Sequence, residues 1–95
     1  MKEYCVYMIT NKYHNVLYVG MTSNIERRTF EHREHLMQGF SDKYNCTKLV
    51  YVEFYIDVHD ALNREKQLKG WRRSKKDNLG NQLNPDWKDL IYENF

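Results

Sequence analysis

Residues 5–20 read Cys-Val-Tyr-Met-Ile-Thr, then Asn-Lys-Tyr-His-Asn, then Val-Leu-Tyr-Val-Gly. Two runs of apolar, β-branched and aromatic residues around a polar pentapeptide predict a β-hairpin with strands at 5–10 and 16–20. The hairpin returns the second strand beside the first, so the phenols of Tyr7 and Tyr18 are expected to lie within reach of each other. We expect the glycine at the end of the second run to stop that strand.

The middle of the chain predicts a helix, a loop and a third strand. A charged segment after the hairpin predicts a helix over residues 24–38, with Ser23 or Asn24 as its N-cap. Residues 39–47 mix glycine, polar and aromatic residues and predict a loop. Residues 48–56 are apolar on both faces over much of their length, which predicts the central strand of the sheet.

The C-terminal part predicts two more helices. Residues 61–73 are rich in strong helix formers and follow Asp57 or Asp60 as a possible N-cap. Residues 77–84 predict a loop, and Pro85 is expected to start a short helix. The apolar side chains of that helix should pack inward: Trp87, Leu90 and Ile91. The predicted fold is therefore a small mixed α/β domain, a three-stranded antiparallel sheet flanked by helices in the order β-β-α-β-α-α.

Size and composition predict one domain covering residues 1–95. A chain of 95 residues buries roughly 65% of its unfolded surface, which is sufficient for one modest core. Cys5 and Cys46 are too few for a disulfide framework and form no Cys-x-x-Cys pair, which favours a reducing compartment. The sequence has no recognisable signal peptide and no apolar run long enough to span a membrane. We expect a soluble cytoplasmic protein with no membrane contact and no obligate protein partner.

Basic residues are concentrated in one part of the chain. The whole sequence has a net charge of +2, but residues 64–76 contain seven basic residues and one acidic residue, a local charge of +6. Some of these cations should complement the negative end of the preceding helix dipole. The rest predict binding to DNA, including structured or single-stranded nucleic acid, through its phosphates and with strong salt dependence. The expected contacts in this segment are Lys69, Arg72, Arg73, Lys75 and Lys76.

Glu65 is the most unusual residue of the helix predicted at 61–73. It interrupts a stripe of apolar residues at helical spacing, and burying an unpaired carboxylate costs several kcal/mol. A cation must therefore face it. The residues alone leave two interpretations open: an ion pair with Arg64, Lys69 or Arg28, or a bound metal ion.

Several of these residues also resemble a known family. The ordered set consists of Val6-Tyr7, Tyr18-Val19-Gly20 after ten intervening residues, Arg28 eight positions after that glycine, and His32 four positions later. This set resembles the GIY-YIG nuclease domain. Residues 64–73 and 84–87 resemble the small stand-alone GIY-YIG proteins related to the nuclease module of the bacterial excision-repair incision subunit. The resemblance covers nearly the whole chain.

The resemblance implies an endonuclease that hydrolyses DNA phosphodiester bonds with a divalent metal ion, in DNA repair or processing. It implies Glu65 as the single acidic ligand of Mg²⁺ or Mn²⁺. Tyr7 matches the tyrosine implicated in activating the nucleophile, and Tyr18 matches the one that assists it. Arg28 would stabilise negative charge on the phosphate in the transition state, and His32 would relay a proton or contact phosphate.

The sequence departs from the family pattern in places that bear on activity. Cys5 stands where the family has its first glycine. Met21 stands where several relatives carry lysine, which affects turnover rather than fold. Three candidates exist for the late asparagine of the family, Asn78, Asn81 and Asn84, and Asn84 best fits the stand-alone relatives as a residue at the nucleic acid. A second interpretation therefore stays open, a nucleic-acid-binding module with the nuclease fold but little or no catalytic activity.

Overall fold

The computed structural model describes residues 2–90 and contains one antiparallel sheet of three strands. The strands are β1 (Tyr4–Thr10), β2 (Leu17–Thr22) and β3 (Lys48–Tyr55). β1 pairs with β2 on one side and with β3 on the other, so the order across the sheet is β2-β1-β3. The predicted three-stranded antiparallel sheet is confirmed.

Four helical segments flank the sheet. They are α1 (Ile25–Arg33), the single turn α2 (Phe40–Lys43), α3 (Val58–Gly70) and α4 (Arg73–Leu83). Apart from the short α2, the elements follow the predicted order β-β-α-β-α-α. None of the helices within residues 2–90 has the length and apolar character needed to cross a membrane.

The two faces of the sheet are covered by different helices. Successive side chains of a strand point to opposite faces. On one face, Val6 and Met8 belong to an apolar cluster with Ala61 and Leu68 of α3. A second buried cluster on the other face includes Cys5, Tyr7 and Ile9 of β1. The first residue of α1, Ile25, belongs to the same cluster. Tyr7 therefore faces α1 from the middle of the sheet.

The prediction that β3 is the central strand is wrong, because β1 holds that position. Residues 5–10 of β1 are all buried, as expected for a strand with a neighbour on each side. β3 forms one edge of the sheet, and its residues pack into the apolar clusters on both faces. Its continuous apolar run therefore reflects helices above and below it, rather than strands on either side.

The first half of the chain differs from prediction at three boundaries. β2 does not stop at Gly20 but continues to Thr22, which pairs with Cys5 of β1. α1 ends five residues earlier than predicted, and His35 just after it has a left-handed backbone with φ 56°. Residues 40–43, predicted as loop, form the helical turn α2.

The second half contains one more long helix than its sequence pattern predicts. α3 begins and ends three residues earlier than expected, and Asp57 caps it by accepting a hydrogen bond from the backbone N–H of His59 at 2.7 Å. Trp71 and Arg72 then have extended backbone conformations, after which α4 begins. The predicted loop at 77–84 is therefore wrong, since nearly all of it lies in α4.

No helix follows Pro85 within the described residues, which contradicts the predicted short C-terminal helix. The backbone makes a turn at Pro85 and Asp86 instead. Trp87 and Leu90 are buried as expected, and Ile91 lies outside the described residues. Residues 84–90 after α4 thus pack Trp87 and Leu90 against the core without forming a helix.

Candidate functional site

The site is built around Tyr7 of β1 and Gly20 of β2, which lie opposite each other in the sheet. A Cβ atom on Gly20 would lie 2.5 Å from Cζ of Tyr7, far inside van der Waals contact. The Tyr7 ring therefore packs directly onto the backbone of Gly20. The glycine is needed for this close approach and not, as predicted, to end the strand.

His32 of α1 faces the Tyr7 hydroxyl group. Its Nε2 lies 3.0 Å from Oη of Tyr7, and the histidine is only 4% exposed. Burial, together with the positive charge of Arg28, lowers the pKa of His32 below its ordinary value. The imidazole is therefore neutral at neutral pH, and one of its ring nitrogens is free of a proton.

Ser41 of α2 completes a row of three hydrogen-bonded side chains. Its Oγ lies 3.1 Å from Nδ1 of His32, and both residues are buried. The serine and Tyr7 thus hold the imidazole from both sides and fix its orientation. Sequence reasoning missed Ser41, because a serine in a stretch predicted as loop has no periodic pattern that would mark it as buried.

Tyr18 of β2 lies beside this row. Its ring centroid is 6.5 Å from that of Tyr7 and 5.9 Å from that of His32. Nζ of Lys69, near the end of α3, is 5.9 Å from the centroid of the Tyr18 ring. The structure therefore brings together the two tyrosines of the motif and places a lysine of the basic segment next to them.

The ionisation of Tyr7 depends on four neighbouring features. Burial raises the pKa of the Tyr7 phenol most, Tyr18 raises it further, Arg28 lowers it by charge and hydrogen bonding, and Glu65 raises it. The net effect is a pKa above the ordinary value, so Tyr7 keeps its proton at neutral pH. Arg28 lies one turn before His32 on α1, and Glu65 pairs with Lys69 beside Tyr18, so both residues border this site.

Arg28 carries an unsatisfied donor at this site. Its Nε is buried and has no hydrogen-bond partner among residues 2–90, although a carboxylate oxygen of Glu31 lies 3.3 Å away with poor alignment. A buried N–H of a permanent cation without an acceptor is costly. The Arg28 side chain as a whole is 27% exposed, so its other nitrogens can meet an anion, and phosphate matches the fork of donors on a guanidinium group.

Glu65 lies on α3, with its side chain 22% exposed and one carboxylate oxygen 3.3 Å from Nζ of Lys69. Of the three predicted ion-pair partners, Lys69 is the one that pairs with it; Arg64 binds Glu53 instead. The stripe around Glu65 is less apolar than predicted, because Leu62 is exposed. An i,i+4 pair with a half-exposed lysine contributes only about 0.5 kcal/mol, so a stronger cation can replace it.

The described residues 2–90 contain no cluster of three or more His, Cys, Asp or Glu side chains arranged to hold a metal ion. Glu65 is the acidic residue at this site that the family resemblance assigns to a metal ion. Mg²⁺ is commonly bound by few protein carboxylates, because it retains several water molecules and takes further oxygens from a phosphate substrate. The residues present fit such an ion.

Two residues predicted to contact nucleic acid, Arg73 and Asn84, make hydrogen bonds within the protein instead. Arg73 binds Asp77 at 2.7 Å and also donates to backbone oxygens of the β1–β2 turn, which ties α4 to the hairpin. Asn84 is buried; its amide donates to the carbonyl oxygens of Val50 and Lys88 and accepts from the Lys88 N–H. The geometry therefore favours structural roles for Arg73 and Asn84 over the predicted contacts with DNA.

Three other cations of the basic segment lie where α4 begins: Arg72, Lys75 and Lys76. The prediction that such residues complement the end of α3 is wrong, because α3 stops at Gly70. At the start of α4 the helix dipole is positive and disfavours cations. Nζ of Lys75 lies 4.2 Å from the centroid of the Trp71 ring, which gives this cation a contact within the protein. The helix itself does not explain the position of the three cations, and an external anion remains a suitable partner for them.

Known proteins resemble this chain in sequence and in fold. A family model described as the GIY-YIG catalytic domain matches residues 3–78. A UPF0213 protein of Staphylococcus haemolyticus is 34% identical over 80 residues, which cover 80% of this chain and 92% of that protein. A UPF0213 protein of Natronomonas pharaonis is 33% identical over 63 residues, 66% of this chain and 74% of the other. The solution NMR structure of a UPF0213 protein from Bacillus halodurans shares the fold, with a TM-score of 0.56, 20% identity and 93% of each chain covered.

Proposed function

Because this chain belongs to the GIY-YIG catalytic domain family, a family of nucleases, we propose that it is a divalent-metal-dependent endonuclease that hydrolyses DNA phosphodiester bonds in repair or processing. One observation carries the proposal. Buried Tyr7 lies within hydrogen-bond distance of His32 and beside Tyr18, whose ring lies near Lys69, the ion-pair partner of Glu65. Phosphodiester hydrolysis needs an activated water, a group that neutralises the phosphate and help for the departing oxygen.

The scissile phosphate would bind at Arg28. The guanidinium group stays charged at any working pH, and its side chain is partly exposed, so that a phosphate can reach its other nitrogens. As water attacks, negative charge accumulates on the phosphate oxygens, and a fixed cation in a partly buried site stabilises that charge more than water does. Arg28 therefore acts mainly on the transition state.

The proton of the attacking water would pass through Tyr7 to His32. Because its pKa is raised, Tyr7 is a phenol in the free protein and cannot act alone as a base. When neutral His32 carries its proton on Nδ1, the Tyr7 hydroxyl group donates to Nε2, so Tyr7 can release that proton as it accepts one from water. This geometry favours Tyr7 over Tyr18 as the group that takes the proton from water, with Tyr18 beside it to orient the water.

Glu65 would hold Mg²⁺ or Mn²⁺ on the side of the site where α3 packs. When bound, the ion acts as a Lewis acid for the leaving oxygen. Glu65 is well suited to binding it because its carboxylate is half-buried, negatively charged and only weakly paired with Lys69.

Incubation of the purified protein with branched and nicked DNA tests the proposal. We expect cleavage products with Mg²⁺ or Mn²⁺ and none with a chelator. Tyr7→Phe keeps the ring on Gly20 but removes the hydroxyl group, and should slow cleavage by about 100-fold or more without unfolding the protein. Tyr13→Phe is a matched control, because Tyr13 is exposed in the hairpin turn. DNA binding without products would favour the alternative, a binding module of this fold without catalysis.

The cations at the start of α4 give a second prediction. Lys75→Gln combined with Lys76→Gln should weaken binding to all DNA sequences alike. If both lysines neutralise phosphates, the slope of log affinity against log salt should become less steep by roughly 1.8. Fluorescence anisotropy over a range of salt concentrations measures this slope. Lys2→Gln serves as the control, since Lys2 is exposed but lies outside the basic segment. An unchanged slope in the double variant would place the path of DNA elsewhere on the surface.

A further inference from the structure

A row of aromatic rings extends from the Tyr7 site onto the protein surface. The ring centroids of Tyr18 and Phe40 are 6.3 Å apart with nearly parallel planes, and those of Phe40 and Tyr44 are 4.8 Å apart. Tyr18 is partly buried against the site, whereas Phe40 is 52% exposed and Tyr44 is 40% exposed. Two neighbouring exposed aromatic rings leave apolar surface in water, which favours a ligand that covers them.

Phe40 begins the helical turn α2 and Tyr44 follows it, and side-chain hydrogen bonds hold this turn against α1. Phe40 and Tyr44 flank Ser41, whose Oγ is hydrogen-bonded to Nδ1 of His32 in the proposed site. A carboxylate oxygen of Asp42 in the same turn lies 2.7 Å from Nδ1 of His35, and this contact connects α2 to the end of α1. A surface fixed in this way loses little conformational entropy when a ligand binds.

A lysine lies at each end of the aromatic row formed by Tyr18, Phe40 and Tyr44. Nζ of Lys43 is 5.5 Å from the centroid of the Tyr44 ring, and Nζ of Lys69 is 5.9 Å from that of Tyr18. Proteins bind nucleic-acid strands by combining aromatic faces, on which bases stack, with cations that follow the phosphates. The row therefore matches the chemistry of a nucleotide chain better than that of an uncharged apolar partner.

We propose that Phe40 and Tyr44 form a stacking subsite for a nucleobase of the DNA, next to the nucleotide whose phosphate binds at Arg28. This inference rests on the proposed function, because it takes DNA as the ligand. A base stacked within a duplex has both of its faces covered by neighbouring base pairs. The base at this subsite is therefore one that has left the stack.

Anisotropy with a short oligonucleotide in the presence of a chelator tests the subsite without any cleavage. Phe40→Leu keeps an apolar side chain but removes the aromatic face, and should weaken binding by about 5- to 100-fold. Phe54→Leu is the matched control, because Phe54 is 50% exposed on β3 and is not part of the row. Equal affinity of the two variants would overturn the proposal.

A set of oligonucleotides, each lacking the base at one position, identifies the stacked base. For the unaltered protein, loss of the base at one or two positions should weaken binding. For Phe40→Leu, loss of the base at the same positions should have no further effect on affinity. An abasic penalty that is unchanged in Phe40→Leu would show that the ring and the base do not meet.

A competing explanation is that the aromatic row is a contact between two copies of the chain. Sedimentation of the unaltered protein and of Phe40→Leu without DNA tests for such a dimer. A stable dimer that Phe40→Leu dissociates would assign the aromatic row to contact between copies of the chain and overturn the stacking subsite. Absence of any DNA binding by the unaltered chain would overturn both proposals. Binding with the expected abasic pattern but without cleavage would support the subsite and contradict the endonuclease.

Discussion

Glu65→Gln is expected to abolish metal-dependent cleavage while leaving the free energy of unfolding nearly unchanged. The amide keeps the shape of the carboxylate but removes the charge that holds a divalent cation. We expect the cleavage rate to fall by at least about 100-fold. The pair with Lys69 is a half-exposed i,i+4 interaction, so its loss should change stability by no more than about 0.5 kcal/mol. Cleavage assays, Mn²⁺ titration and thermal melts of the two proteins measure both effects.

Glu53→Gln is the contrasting control, because Glu53 shows what a structural carboxylate looks like in this fold. Its side chain is 16% exposed and lies 2.8 Å from Nε of Arg64, with further hydrogen bonds from Tyr51 and Tyr55. Burial alone would raise the pKa of Glu53, but these hydrogen bonds hold it below the ordinary value. Removing its charge leaves Arg64 without its ion-pair partner, although its hydrogen bond to Gln67 remains, at a cost of about 3 kcal/mol.

The two carboxylates together decide between the interpretations of Glu65. If Glu65→Gln melts as early as Glu53→Gln and still binds Mn²⁺, then Glu65 is structural and the metal ion binds elsewhere. If only Glu53→Gln is destabilised, the Glu65 carboxylate is not needed for stability, as expected for a metal ligand that is weakly paired with Lys69.

The hairpin and the residues it carries could be predicted from sequence because both depend on local patterns. Two short apolar runs around a polar pentapeptide define β1 and β2, and the register of an antiparallel pair then brings Tyr7 opposite Gly20 and close to Tyr18. The position of β3 could not be predicted in the same way. An apolar run reports that both faces of a strand are covered, but it carries no information about how many strands lie beside it.

The elements that were missed depend on contacts between distant parts of the chain. α4 has few apolar residues, and it is held by Arg73 on the hairpin turn and by Asn84 on β3, more than 30 residues away in each case. Ser41 is buried because His32 lies against it, and Phe40 is exposed beside Tyr18. Helix propensity and hydrophobic period describe neighbours in sequence, so they do not detect such contacts.

Gly20→Ala is expected to impair both stability and cleavage, although it adds a single methyl group. Alanine is intrinsically more favourable than glycine within a strand, so any loss must come from the contact with Tyr7. The new Cβ would lie 2.5 Å from Cζ of Tyr7, whose ring is 1% exposed and hydrogen-bonded to His32. The ring has no space to retreat without breaking that bond. We expect a loss of about 1–3 kcal/mol in stability, and cleavage slowed by about 100-fold.

Gly70→Ala provides the matched control for this steric argument. A Cβ on Gly70, the last residue of α3, would meet nothing within 4 Å. Alanine there should leave cleavage unchanged and raise stability by up to about 1 kcal/mol, because glycine is the poorer helix former. Thermal melts and cleavage rates of the two variants separate a specific contact from a general effect of replacing glycine. A Gly20→Ala protein that cleaves as fast as the unaltered chain would show that catalysis does not require the Tyr7 ring to lie on Gly20.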